Sequence, residues 1–87
     1  MKMIIAILRD SDCDPVIQAL TERNFRVTRI ASTGGFLKRG TGTLFAGVED
    51  DQVDAAIEVM RQKAGPATGA EKRATIFVVP VENFQQI

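Results

Sequence analysis

Asn24, Arg26 and Thr28 stand two residues apart in an extended-looking segment. On a strand such residues point to one side, which would set an amide, a guanidinium and a hydroxyl in a row. That row has the donors for a phosphodiester, since an arginine offers paired N–H groups matched to phosphate oxygens. Shortly after it comes Ala31-Ser32-Thr33-Gly34-Gly35-Phe36-Leu37-Lys38-Arg39-Gly40-Thr41-Gly42-Thr43, glycine-rich, basic and free of acids. Backbone amides in such a stretch approach an anion with no Cβ in the way. Phe36 with Leu37 would offer an apolar, aromatic wall for a base. The same glycines also suit an ordinary tight turn, and Phe36 also suits the packing of a loop base.

Charge patterning supports a local anion site. From Arg23 to Val48 the chain carries Arg23, Arg26, Arg29, Lys38 and Arg39 and no acid, although 11 basic and 11 acidic residues balance over the whole sequence. Segregation on a neutral chain points to a small anionic ligand at one place, whereas nucleic-acid or membrane surfaces show excess charge over the domain. Neither partner is expected. The single cysteine, Cys13, and the lack of histidine remove disulfides, the usual zinc sites and histidine-based catalysis. Cys13 reads as a small, half-buried residue near a helix start.

Three other chemistries fail on particular residues. Gly35, four residues and Gly40 have P-loop spacing, but Thr41-Gly42 follows where Lys-Ser or Lys-Thr is required. RNA-recognition modules stack bases on aromatics of their central strands, yet Ile4–Leu8 has none and the third strand only Phe45. A phosphatase cradle after the first strand would meet Asp10-Ser11-Asp12, which repel a phosphate. The expectation is a binding protein with no catalytic residue and no metal.

The elements that must hold these residues follow from period and punctuation. Met3–Leu8 is unbroken apolar and reads as a strand buried on both faces; it is too short to cross a bilayer, and a cytoplasmic protein is expected. Asp14-Pro15 predicts the start of a helix whose Val16, Ile17 and Leu20 recur at helical spacing until Asn24. Strand two is expected over Phe25–Ser32, a loop over 33–42, and strand three over Thr43–Val48. Glu49-Asp50-Asp51 then heads a second helix with the inner stripe Val53, Ala56, Ile57, Met60 and Ala64. A polar linker within 63–73 leads to strand four, Ala74–Val81. The order βαββαβ in one domain, 1–87, predicts an α+β, ferredoxin-like fold: an antiparallel sheet with both helices on one face. A chain of 87 residues buries only roughly 60 to 65% of its unfolded surface, so its core is thin. The bare outer face calls for a homo-oligomer.

Several blocks resemble one family over nearly the whole chain: Met3-Ile4-Ile5-Ala6-Ile7, Asn24-Phe25-Arg26-Val27-Thr28, Ala31-Ser32-Thr33-Gly34-Gly35-Phe36-Leu37-Lys38, Gly47-Val48-Glu49-Asp50 with Val53-Asp54, and Ala74–Val81 with Phe84. They are similar to the PII-like cyclic di-AMP receptors, the PstA or DarA family. The resemblance implies a homotrimer that binds cyclic di-AMP at its subunit interfaces, near the base of the loop between strands two and three. The loop 33–42 would be the T-loop equivalent, reordering on binding to control a protein target that the sequence does not name. Carried over by position, Asn24, Arg26 and Thr28 would meet phosphate and ribose, Gly35 would lie in the binding loop, and Phe36, Leu37, Gly47 and Phe77 would enclose an adenine. Gln86 would close the site. Thr41 stands where the family has an asparagine able to hydrogen-bond adenine, and the linker 63–73 replaces a longer insertion. Two alternatives stay open: a PII-type sensor of ATP or ADP, and a structural trimer with a vestigial site.

Overall fold

The structure, a computed structural model, describes residues 1–30, 40–65, 74–83, 85 and 87. The elements run β1 (Lys2–Arg9), α1 (Asp10–Glu22), β2 (Arg26–Ile30), β3 (Thr41–Val48), a 3₁₀ turn (Asp50–Gln52), α2 (Val53–Lys63) and β4 (Ala74–Pro80). All pairings are antiparallel and the strand order is β2-β3-β1-β4. This is the expected α+β arrangement of four strands and two helices.

Alternation along β1 decides where the core sits. Ile4, Ala6 and Leu8 are fully buried with Leu44 and Ala46 of β3, beneath Cys13, Val16, Ala19 and Leu20 of α1 and Ala56, Val59 and Met60 of α2. Each large apolar side chain buried this way contributes roughly 1.5 to 3 kcal/mol. The helical stripe read from sequence omitted Val59, which widens the inner face of α2 beside Val53, Ile57 and Met60.

The first helix starts at Asp10, four residues before the expected Asp14-Pro15, and Pro15 lies inside it. Two effects favour the early start. Asp10 and Asp12 sit in the first turn, where the helix dipole favours negative charge. Asp12, buried to 6% exposure, accepts a hydrogen bond from Arg9 Nε at 2.8 Å and from the Gly65 amide at 3.1 Å. One carboxylate thus ties the end of β1, the start of α1 and the end of α2. A Cβ at position 65 would come within 3.0 Å of an Arg9 guanidinium nitrogen. Pro15 deprives the Ser11 carbonyl of its helical donor, but both residues are exposed, so water can donate instead.

Strand β3 also starts earlier than expected, at Thr41. Gly40, at φ +85°, turns the chain into it. Gly42 then passes directly under the first turn of α1, where a Cβ would stand 2.8 Å from Cys13 Sγ.

Candidate functional site

The face of the sheet turned away from the helices carries the residues of interest. Pairing aligns Arg26 with Gly47 and Gly47 with Met3, and in the next row Thr28 with Phe45, Ile5 and Phe77. Arg26 and Thr28 are exposed and project from this outer face. An open depression of about 410 Å³ lies there, bounded by Met3, Arg26, Thr28, Phe45 and Gly47. A second, of about 510 Å³, adjoins it at the sheet edge and is lined by Arg23, Asn24, Arg26, Gly47, Glu49 and Gln52. Met1 borders both, its amine 2.9 Å from Asp50. That contact, with Lys2 nearby, holds the Asp50 carboxyl below its usual range.

Asn24 does not continue the alternating row. It closes α1 at φ 66°, with its amide donating to the Thr21 carbonyl at 3.0 Å and the Phe25 amide to Leu20 at 3.0 Å. This is a Schellman turn, whose left-handed residue is glycine or asparagine by preference. The turn starts β2 at Arg26 and leaves Asn24 in the second depression, beside Arg26.

Among the described residues, nothing requires a glycine at position 47. Its φ is not positive, and a Cβ built on it meets nothing within 4 Å. Glycine weakens a strand interior, and where it occurs there it often marks the close approach of a ligand or another backbone. It separates Arg26 from Met3 on the floor where the two depressions meet.

Arg26, Thr28 and Gly47 therefore stand together, with Asn24 adjoining. Two other expected site residues stand apart from them. Thr41 opens β3 at the end next to the β2–β3 connection, six residues from Gly47, or about 20 Å along the strand. Phe77 lies on β4, the opposite edge of the sheet from Thr28, about 14 Å away across three strand spacings. Neither residue lines either depression. Gly35, Phe36, Leu37 and Gln86 lie outside the described residues, as do most of the loop 33–42 and of the linker 63–73.

The basic run divides between the two faces. Arg29 pairs with Leu44 on the helix side, and its guanidinium lies 3.6 Å from Asp10 and 3.2 Å from Asp14. Arg29 is engaged by α1 and not by the outer depression. Cys13 is fully buried, beyond the half-burial expected of it. Burial pushes its thiol pKa up against the opposing pull of Arg29, and the nearby Asp10, Asp14 and Asp12 add to the rise. That is a packing residue. Phe45 and Met3 at the floor of the depression were not singled out as site residues; the period-two alternation that places Thr28 and Gly47 on this face would have found both.

Among the described residues, no group of three or more His, Cys, Asp or Glu side chains could hold a metal ion, and no helix is long and apolar enough to cross a membrane. A sequence profile described as the cyclic-di-AMP receptor family matches residues 1–70. The chain belongs to the cyclic-di-AMP receptor family. Proteins of this family are non-catalytic receptors whose ligand is cyclic di-AMP. Among solved structures, the chain is similar to a functionally unknown protein from Pediococcus pentosaceus ATCC 25745, at 28% identity and a TM-score of 0.74, over 99% of this chain and 96% of that one.

Proposed function

We propose that this receptor-family chain is a PII-like signal transduction protein that binds cyclic di-AMP at the subunit interfaces of a homotrimer. Binding reorders the 33–42 loop and changes which protein partner the trimer holds. The observation that carries the site is Gly47, a strand glycine that none of the described residues requires, between an exposed arginine and an apolar floor. Arg26 and Thr28 supply donors to phosphate and ribose, and Asn24 extends that polar wall. Gly47, with Phe36 and Leu37, leaves room for and encloses an adenine. Within one copy Thr41 and Phe77 stand apart from Arg26, which supports their reaching the ligand from neighbouring copies. Gly35 and Gln86 complete it. The half-buried outer face, with Phe77 52% and Val79 38% exposed, supplies apolar area for copies to cover. Thr41, in place of an asparagine amide able to read adenine, favours a second reading, a structural trimer with a vestigial site.

A thermal-shift panel of cyclic di-AMP, cyclic di-GMP, ATP, ADP and AMP tests the ligand. At about 100 times its dissociation constant the true ligand adds roughly 2.7 kcal/mol of stability. Gly47→Val tests the site, because a Cβ there meets none of the described residues within 4 Å: the variant should fold as well as the parent and lose the shift. An unchanged response to cyclic di-AMP in Gly47→Val would remove the site from this face. Light scattering of a stable monomer would remove the interface.

A further inference from the structure

We propose that Arg29, together with Asp10 and Asp14, is a positioning residue for ligand binding, one that acts by fastening the stem of the β2–β3 hairpin to the first turns of α1. The inference rests on the reading above that the ligand is taken at Arg26, Thr28 and Gly47 with help from Thr41.

Three separate contacts converge on one turn of helix. Arg29 lies one residue from Thr28 and one from the end of β2, with its side chain on the opposite face of the sheet. Its guanidinium reaches two carboxylates four residues apart on α1, Asp14 at 3.2 Å and Asp10 at 3.6 Å. The backbone amide of the same Asp10 donates to the Gly40 carbonyl at 2.8 Å, which holds the residue just before Thr41 and the start of β3. Gly42, next in β3, is pressed against Cys13 and the Asp10 carboxylate so closely that no Cβ fits. Asp10 therefore grips both strands of the stem, β2 through a side chain and β3 through the main chain.

The arrangement contributes little to folding. Arg29, Asp10 and Asp14 side chains are 42%, 56% and 87% exposed, and exposed ion pairs contribute at most about 1 kcal/mol. Its effect falls on placement. A shift of the stem moves both Thr41, next to Gly40, and the β2 backbone beside Thr28, next to Arg29. A displacement of an ångström is enough to weaken well-aligned polar contacts. Arg29 thereby serves an anionic ligand without touching it.

The sign of one substitution separates this from simple electrostatics. Asp14→Asn removes a negative charge, so a purely Coulombic role predicts unchanged or tighter binding of an anion. Positioning predicts weaker binding. Calorimetry with cyclic di-AMP at low and high salt, on the full chain, should show Asp14→Asn and Arg29→Gln each weakening binding about three- to fivefold, the scale of an exposed ion pair. The double variant should be no worse than either single one. The salt dependence and the melting temperature should stay as in the parent. Amide exchange on the ligand-free protein gives a second, independent arm: both variants should speed exchange at residues 40–43 about threefold while leaving Ile4 and Ala6 unchanged. Tighter or unchanged binding by Asp14→Asn overturns the proposal, and so does a shallower salt dependence in Arg29→Gln, which would mean direct phosphate contact. If the parent protein binds no cyclic di-AMP, the ligand reading fails by itself, and the exchange arm still decides: unchanged exchange at residues 40–43 in both variants overturns the latch.

Discussion

The two faces of the sheet carry similar side chains and meet different fates. Along β1 the sequence alternates between them with hardly any change in hydrophobicity. Ile4, Ala6 and Leu8 are at most 1% exposed under the helices, while Met3, Ile5 and Ile7 on the other side are only half-buried. The same holds across β3, where Leu44 and Ala46 are fully buried and Phe45 between them is not. Hydrophobicity alone does not make a core; a face needs a layer to close it. Two helices suffice for one side of a four-stranded sheet, so the other side, where Arg26, Thr28 and Gly47 stand, keeps apolar area for whatever covers it.

The largest effects should separate the faces outright. Leu44→Ala leaves a cavity beneath the helices and should lower the unfolding free energy by about 2 to 5 kcal/mol in urea titration. Phe45→Ala, its outward neighbour, should cost a single subunit much less and act mainly on assembly, read by light scattering across a dilution series. Equal losses of subunit stability, with assembly untouched, would mean that the faces do not differ in kind. Arg26→Ala comes next. Loss of a charge-assisted contact of about 1.5 to 3 kcal/mol should weaken cyclic di-AMP roughly ten- to a hundredfold in calorimetry. An affinity equal to that of the parent would take the phosphate away from the outer face.

Smaller effects sharpen the comparison. Thr41→Asn restores an amide where the family has one and should tighten cyclic di-AMP by up to about 1 kcal/mol, with no change for a nucleotide bearing another base. On the helix side, Cys13 offers a pH test. Its thiol pKa is raised above the ordinary 9.0 chiefly by burial. The neutral thiol is thus the form that the fold favours, and its contribution is complete below the unfolded value and lost as pH rises through the folded one. Stability should fall above about pH 9 in the parent and fall less in Cys13→Ala, compared by denaturant titration at each pH. The same decline in both would place the titrating group elsewhere.

How far the sequence could be read depended on the range of the forces involved. Strand and helix order came from period and punctuation within short windows, because amphipathic alternation is a local property. The boundaries of α1 and β3 escaped that reading because distant contacts set them: Asp12 draws the helix start back toward Arg9 through a bond to Gly65, and Gly42 lets β3 begin under α1. Neither partner is visible in a window of ten residues. The site divides along the same line. Arg26, Thr28 and Gly47 come together because period two and hairpin register bring them to one face. Asn24 reads in sequence as a third polar group in a row with Arg26 and Thr28, but its backbone closes a helix, and a left-handed residue breaks the alternation.

By itself, the sequence determined the βαββαβ order, the composition that leaves no catalytic machinery of the histidine type, and the motifs that mark the cyclic-di-AMP receptor family. Only the tertiary structure decided which of the clustered arginines faces the depression. Arg26 and Arg29 are three residues apart and alike in charge, yet pleating sends them to opposite faces of β2, where Arg29 finds the carboxylates of α1 and Arg26 borders the depression. Charge is a property of the residue, whereas its direction belongs to the backbone that carries it.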